Sequence, residues 1–141
     1  MTYVLVIVNA FLLFIISGFH FYWGFGGKIG GDVVLPEMNK GGKVFKPTPI
    51  ATCLVALVFL FFGFLSLMKL NIITIELPKV IHDYGIIILG LIFCIRGIGD
   101  FKYVGFFKSV KGTKFSLNDT KWFSPLSFFM GVNFFLIDFL S

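Results

Sequence analysis

The sequence predicts an all-α membrane protein of four transmembrane helices in an up-down bundle, and three observations carry that prediction. Hydrophobic residues make up 57% of the 141-residue chain and charged residues only 13%. At a mean hydropathy of +0.97, there is too little polar surface to coat a water-soluble fold. Four apolar runs each approach the roughly 20 residues a helix needs to cross about 30 Å of hydrocarbon. They fill most of the chain, so residues 1–141 read as a single integral membrane domain.

The first run, Tyr3 to Trp23, has no basic residue ahead of it and no small-x-small cleavage pattern behind it. It is also longer than the apolar core of a secretory signal, and is therefore expected to stay as a permanent span. Loop one follows, with seven of the sixteen glycines and three of the five prolines between Gly24 and Pro49. Two short extended pieces, Asp32 to Leu35 and Lys43 to Phe45, flank the turn-rich "EMNKGG" and suggest a small hairpin. The loop has no GxxxxGK[ST] pattern, so a phosphate-cradling role is disfavoured.

The second span is read at residues 50–68 and the third at about residues 80–99. Their cysteines, Cys53 and Cys94, lie in apolar helices without ligand spacing and read as small buried hydrophobes. In loop three, Tyr103, Phe106, Phe107 and Val110 fall at i, i+3, i+4 and i+7, the spacing of a short interfacial helix. Lys108 and Lys111 would then point toward water or anionic headgroups. The fourth span is placed at residues 120–140, entered through the capping residues "NDT" or, one turn later, through Ser124 and Pro125.

Basic residues orient the bundle. Loops one and three with their helix ends hold ten of the twelve, whereas Lys69 and Lys79 alone lie on the other side. The positive-inside rule puts those two loops in the cytoplasm and both chain ends outside. The net charge of +5 is thus mainly a topology signal, and nucleic acid is not an expected partner.

This threading brings His20 from the first helix and Arg96 and Asp100 from the third to one membrane face, where Asp119 opens the fourth. Ionisable groups inside spans usually face a bundle interior or a wet cavity. Arg96 and Asp100, four apart, are expected to pair, with Gly97 and Gly99 allowing close backbone approach. The plainer alternatives are an aromatic belt of His20, Tyr22 and Trp23, a structural ion pair, and a simple cap at Asp119. Asn9 and Asn133 suit interhelical hydrogen bonds. His82 and Asp83 lie at the other face. No metal site and no cofactor are expected, because there is no HExxH motif and the two histidines are separated by the membrane.

The strings "HFYWGFGG" and "RGIGDFKYVGFFKSVKGTKFSLNDTKWFSPL" resemble a family of small four-span bacterial integral membrane proteins built on a domain of unknown function. The resemblance covers essentially the whole chain. It implies the four-span architecture and an address in the bacterial inner membrane, and it transfers no catalytic residue. It marks His20, Tyr22, Trp23, Arg96, Asp100, Lys102, Tyr103, Asp119 and Thr120 as positions of the family pattern.

The resulting expectation is a polar site at the cytoplasmic interface that binds a lipid headgroup or amphiphile through His20, Tyr22, Trp23, Arg96, Asp100, Lys102 and Asp119. Arg96 would meet a phosphate or carboxylate, and the aromatic rings would pack on the apolar portion. Two other readings stand beside it. One is an accessory subunit or homo-oligomer whose Gly63, Gly90 and Gly131 pack against a protein partner. The other is a small membrane enzyme using His20 as acid or base, held by Asp100. Transport ranks lower, because no row of carboxylates runs through the spans.

Overall fold

The computed structural model describes residues 1–73 and 75–141. Among them the chain is helical, with α1 (Thr2–Gly24), α2 (Gly31–Val34), α3 (Pro49–Met68), α4 (Lys79–Ile98), α5 (Lys114–Asn118), a π-helical turn (Asp119–Phe123) and α6 (Ser124–Leu140). Helices α1, α3 and α4, and the continuous helical stretch Lys114–Leu140, are each long and apolar enough to cross a membrane. This is a multi-pass membrane protein.

Local chemistry sets the ends. Thr48 caps α3 by accepting a hydrogen bond from the Ala51 amide, with Pro49 in the first turn where its missing N–H costs nothing. Thr113 caps α5 in the same way through the Ser116 amide. Helix α4 stops at Ile98 because Gly99 turns to a φ of +94°.

The helices pack in the cyclic order α1, α3, α4, α6, with close α1–α3 and α4–α6 pairs and a thin α3–α4 seam. Interhelical contacts give the antiparallel register. Gly24 faces Pro49 and Cys53, Ser17 donates to the Ala56 carbonyl at 2.7 Å, and Gly63 lies under the Phe14 ring. On the other pair Gly97 abuts Phe128, Gly131 abuts Cys94, and Gly90 abuts Phe135. The glycines that could have served a protein partner, Gly63, Gly90 and Gly131, are therefore occupied within the chain.

Asn9 ties α1 to α6, donating to the Met130 carbonyl and accepting from Asn133, both at 3.2 Å. Burying these amides without partners would cost far more than the bonds return. The apolar core around them comprises Val6, Leu13, Leu89, Phe93, Met130, Phe134 and Ile137.

The loops depart from expectation in two places. In loop one, residues 31–34 form a helical turn instead of an extended piece, and the hairpin shrinks to one bridge between Glu37 and Lys43. Lys43 fixes that turn by donating to Glu37 at 2.9 Å, and this bond holds the Glu37 carboxyl below the usual range. In loop three, residues 99–113 contain no helix, and the short helix falls instead at Lys114–Asn118. Repeated glycines explain this: Gly99, Gly105 and Gly112 all adopt positive φ, which no α-helix accommodates. The two loops meet, with α2 against α5 and Asp32 3.8 Å from Lys114.

Candidate functional site

At the end of the bundle carrying loops one and three, a carboxylate is completely enclosed. Asp119 lies at the start of the π-helical turn and has no solvent exposure. It accepts from Arg96 Nη2 on Oδ1 at 2.8 Å, and on Oδ2 from the Gly105 amide at 2.9 Å, Lys108 Nζ at 3.0 Å and Ser124 Oγ at 2.9 Å. These donors come from α4, loop three and the head of α6. Such a carboxylate fixes where loop three sits.

Lys108 is the correction to the loop-three expectation. Its side chain is only 2% exposed, and its ammonium group donates to Asp119, to the Gly105 carbonyl at 2.8 Å and to Thr120 Oγ1 at 2.6 Å. All three ammonium donors are matched. Nothing in local sequence distinguishes this lysine from its snorkelling neighbours, because its partner lies eleven positions on.

Arg96 does not pair with Asp100. The α-helix has ended before Asp100, so the i, i+4 face that would align them does not exist. Asp100 instead holds loop three, its Oδ1 accepting from the amides of Lys102, Tyr103 and Val104 at 2.9, 2.7 and 2.9 Å. Partial burial opposes its ionisation, yet these amide donors outweigh it and hold the carboxyl below the ordinary aspartate range. The grip also carries Phe101 through a φ of +61°, a conformation a bulky residue adopts only when its surroundings impose it. Gly99 and Gly105 press backbone against backbone at the base of this loop. A Cβ at either would collide with the other strand of chain.

Among the described residues one polar atom of the cluster lacks a partner. Arg96 Nη1 is buried without a hydrogen bond, although the side chain as a whole remains 35% exposed. With Arg96 and Lys108 cationic and Asp119 anionic, the cluster carries one surplus positive charge.

His20 lies in the same half of the bundle, facing inward. Its ring is 5.1 Å from Phe59 of α3 and 5.4 Å from Trp23, and Phe59 in turn lies 6.3 Å from Phe93, one helical turn before Arg96. A single ring therefore separates the imidazole from α4. No hydrogen bond joins His20 to Asp100 among the described residues, so the dyad required by the enzyme reading is not formed.

The remaining expected residues are dispersed. Trp23 donates through Nε1 to the Ile29 carbonyl at 2.8 Å, while the Tyr22 hydroxyl accepts from the Ile29 amide at 3.2 Å. Their polar tips fasten loop one to the end of α1. Tyr22 also lines a shallow apolar groove with Ile15, Gly18, Phe19 and Ile29, of about 320 Å³, on the exposed side of α1, opposite the buried Leu13, Ser17 and Gly24. Lys102 is exposed, 5.2 Å over the Tyr103 ring. Among the described residues no three of His, Cys, Asp or Glu stand close enough to hold a metal ion.

Four apolar helices closed at one end by an Arg–Asp–Lys cluster define a small polytopic membrane protein with a charged cap. Residues 13–134 match the family described as a protein of unknown function, DUF3995, and the chain belongs to that family. No curated protein and no solved structure matches it.

Proposed function

We propose that the loop-one and loop-three end of the bundle lies at the cytoplasmic interface and binds the anionic head of a membrane lipid or related amphiphile, with Arg96 as the principal contact. The observation that carries this reading is Arg96, whose side chain reaches the surface at 35% exposure from a cluster of surplus positive charge and whose buried Nη1 has no hydrogen-bond partner among the described residues. An orphaned guanidinium donor is costly to bury, and a phosphate or carboxylate oxygen that enters the cluster along the exposed part of the side chain would satisfy it with a charge-assisted bond. The lysine-rich loops would raise the local concentration of anionic lipid, and Lys102 would sit at the rim. Asp119 and Lys108 act in this reading as the frame that holds Arg96 in place.

The test is native mass spectrometry of the detergent-extracted protein loaded with phosphatidylglycerol. Arg96→Lys keeps a cation for Asp119 but removes the second guanidinium nitrogen. Retention should fall about tenfold or more, the scale of one charged hydrogen bond. Equal retention by this variant, or no retained lipid in the unsubstituted protein, overturns the reading.

A further inference from the structure

We infer that the end of the bundle opposite the charged cap carries a second site, a cavity between α3 and α4 that binds a small single-chain carboxylate through Lys69. The site shares no residue with the Arg96 cluster, so either reading can fail without the other.

The cavity follows from the way the two helices meet. Helix α3 ends at Met68 and α4 begins at Lys79, and the seam between them is thin. Gly85 has no side chain, and a Cβ there would stand 3.1 Å from Leu65 Cδ2, so the helices close on one another at that level. Nearer the helix ends they part. Met68 and Lys69 on one side and Ile81 and His82 on the other border a space of about 180 Å³, with Leu65 and Ile86 also lining it. The last two are buried core residues and form its floor.

The lining decides what can occupy this space. Leucine, isoleucine and methionine surround its inner part, which therefore accepts an apolar group. At roughly 30 Å³ for each water of the liquid, the volume suits about six waters or a chain of about as many carbons. A phospholipid with two long chains does not fit; one short chain does.

The head is set by the charges at the outer part. Lys69 is half-buried there, and among the described residues its ammonium group has no ion pair. His82 is tied through Nδ1 to Asp83 at 3.0 Å, so a carboxylate already answers any charge on that ring. Neither Asp83 nor Glu76 lines the cavity. One ammonium is left without a countercharge, and a partly desolvated ammonium is stabilised by an anion at hydrogen-bond distance. A carboxylate balances it. A phosphate monoester, at about −1.5 to −2, would bring charge that nothing in the cavity offsets.

The probe is octanoate, added to protein held in phosphatidylcholine nanodiscs and labelled with carbon-13 in its methionine methyl groups. Met68 lines the cavity, whereas Met130 lies in the bundle core and Met38 in loop one, so the last two report effects on the rest of the molecule. Octanoate should shift the Met68 resonance saturably and leave the other two in place. Octanol, of equal length and no charge, should bind about tenfold or more weakly, the scale of one charged hydrogen bond. Lys69→Leu should bring octanoate down to the level of octanol, whereas a lysine that only keeps its charge in water would leave octanoate binding as it was. Ile81→Phe, which fills the space without touching the charge, should abolish the response to both, with an unmoved Met130 resonance showing that the core is intact. A Met68 signal that does not shift, or shifts together with Met38 and Met130, overturns the site. Equal binding of octanoate and octanol, or octanoate binding indifferent to Lys69→Leu, overturns the assignment of its head.

Discussion

Lys108 Nζ stands 3.0 Å from Asp119 Oδ2, with both side chains at most 2% exposed. An ion pair this deep gives little net stability against an apolar equivalent, because both desolvation penalties must be offset. Removing one partner is a different matter. Asp119→Asn keeps the shape and leaves Arg96 and Lys108 facing one another without a countercharge, at an expected cost of about 3–5 kcal/mol. Lys108→Met should cost less, since Asp119 retains Arg96, Gly105 and Ser124 as donors. Thermal unfolding in detergent, followed by circular dichroism, ranks the two. Equal melting temperatures for all three proteins would remove the cluster from the account of stability.

The glycines give a paired prediction. A Cβ at Gly131 would lie 2.8 Å from the Cys94 backbone nitrogen, which cannot rotate away, so Gly131→Leu should separate α4 from α6 and lose about 1–3 kcal/mol or more. A Cβ at Gly18 meets nothing within 4 Å, and Gly18→Ala should be neutral or stabilising by up to about 1 kcal/mol through helix propensity. Denaturant unfolding should shift to lower denaturant for Gly131→Leu and stay level or rise for Gly18→Ala. A Gly131→Leu protein as stable as the parent would mean that the helices do not touch there.

Acid should loosen loop three through Asp100. Its carboxyl titrates below the ordinary range because three amides donate to the ionised form. Its contribution is therefore complete above the unfolded value of about 3.9 and disappears as pH falls through the lower folded value. Pepsin cleavage beside Phe101 and Phe106 should rise as pH falls below about 4, by more than the enzyme's own activity change, and should stay level above that value. Asp100→Asn retains an acceptor oxygen without the titration, and should flatten that rise. An unchanged cleavage profile in the variant would assign the acid response elsewhere.

The helices were legible because length and hydropathy are local. Expected spans at 3–23, 50–68 and about 80–99 correspond to helices at Thr2–Gly24, Pro49–Met68 and Lys79–Ile98. The early start of the last helical stretch, at Lys114, has its own signal in Thr113, a capping residue whose chemistry is the same as that of Asn118 to Thr120 further on. Asp119 and Arg96 were visible as charges in apolar surroundings. Their pairing was not, since a helix pattern carried past Gly99 aligns Arg96 with the wrong carboxylate. Lys108 could not be found at all from periodicity: a burial decided by a carboxylate on another segment leaves no trace in a seven-residue window. Gly105 offered a faint clue, as one of the glycines that interrupt the aromatic spacing of loop three.

The π-helical turn between Asp119 and Phe123, closed by the Ser124 amide on the Asp119 carbonyl, widens one rung in an otherwise regular ladder. A wider rung lets the short stretch before it and the long stretch after it be phased separately. The turn can aim Asp119, its own first residue, toward Arg96 while the stretch after it keeps Asn133 directed at Asn9. Anchoring in the lipid and aiming of the charged cap are thus decoupled along one polypeptide segment, and either could drift over evolutionary time without dragging the other out of alignment.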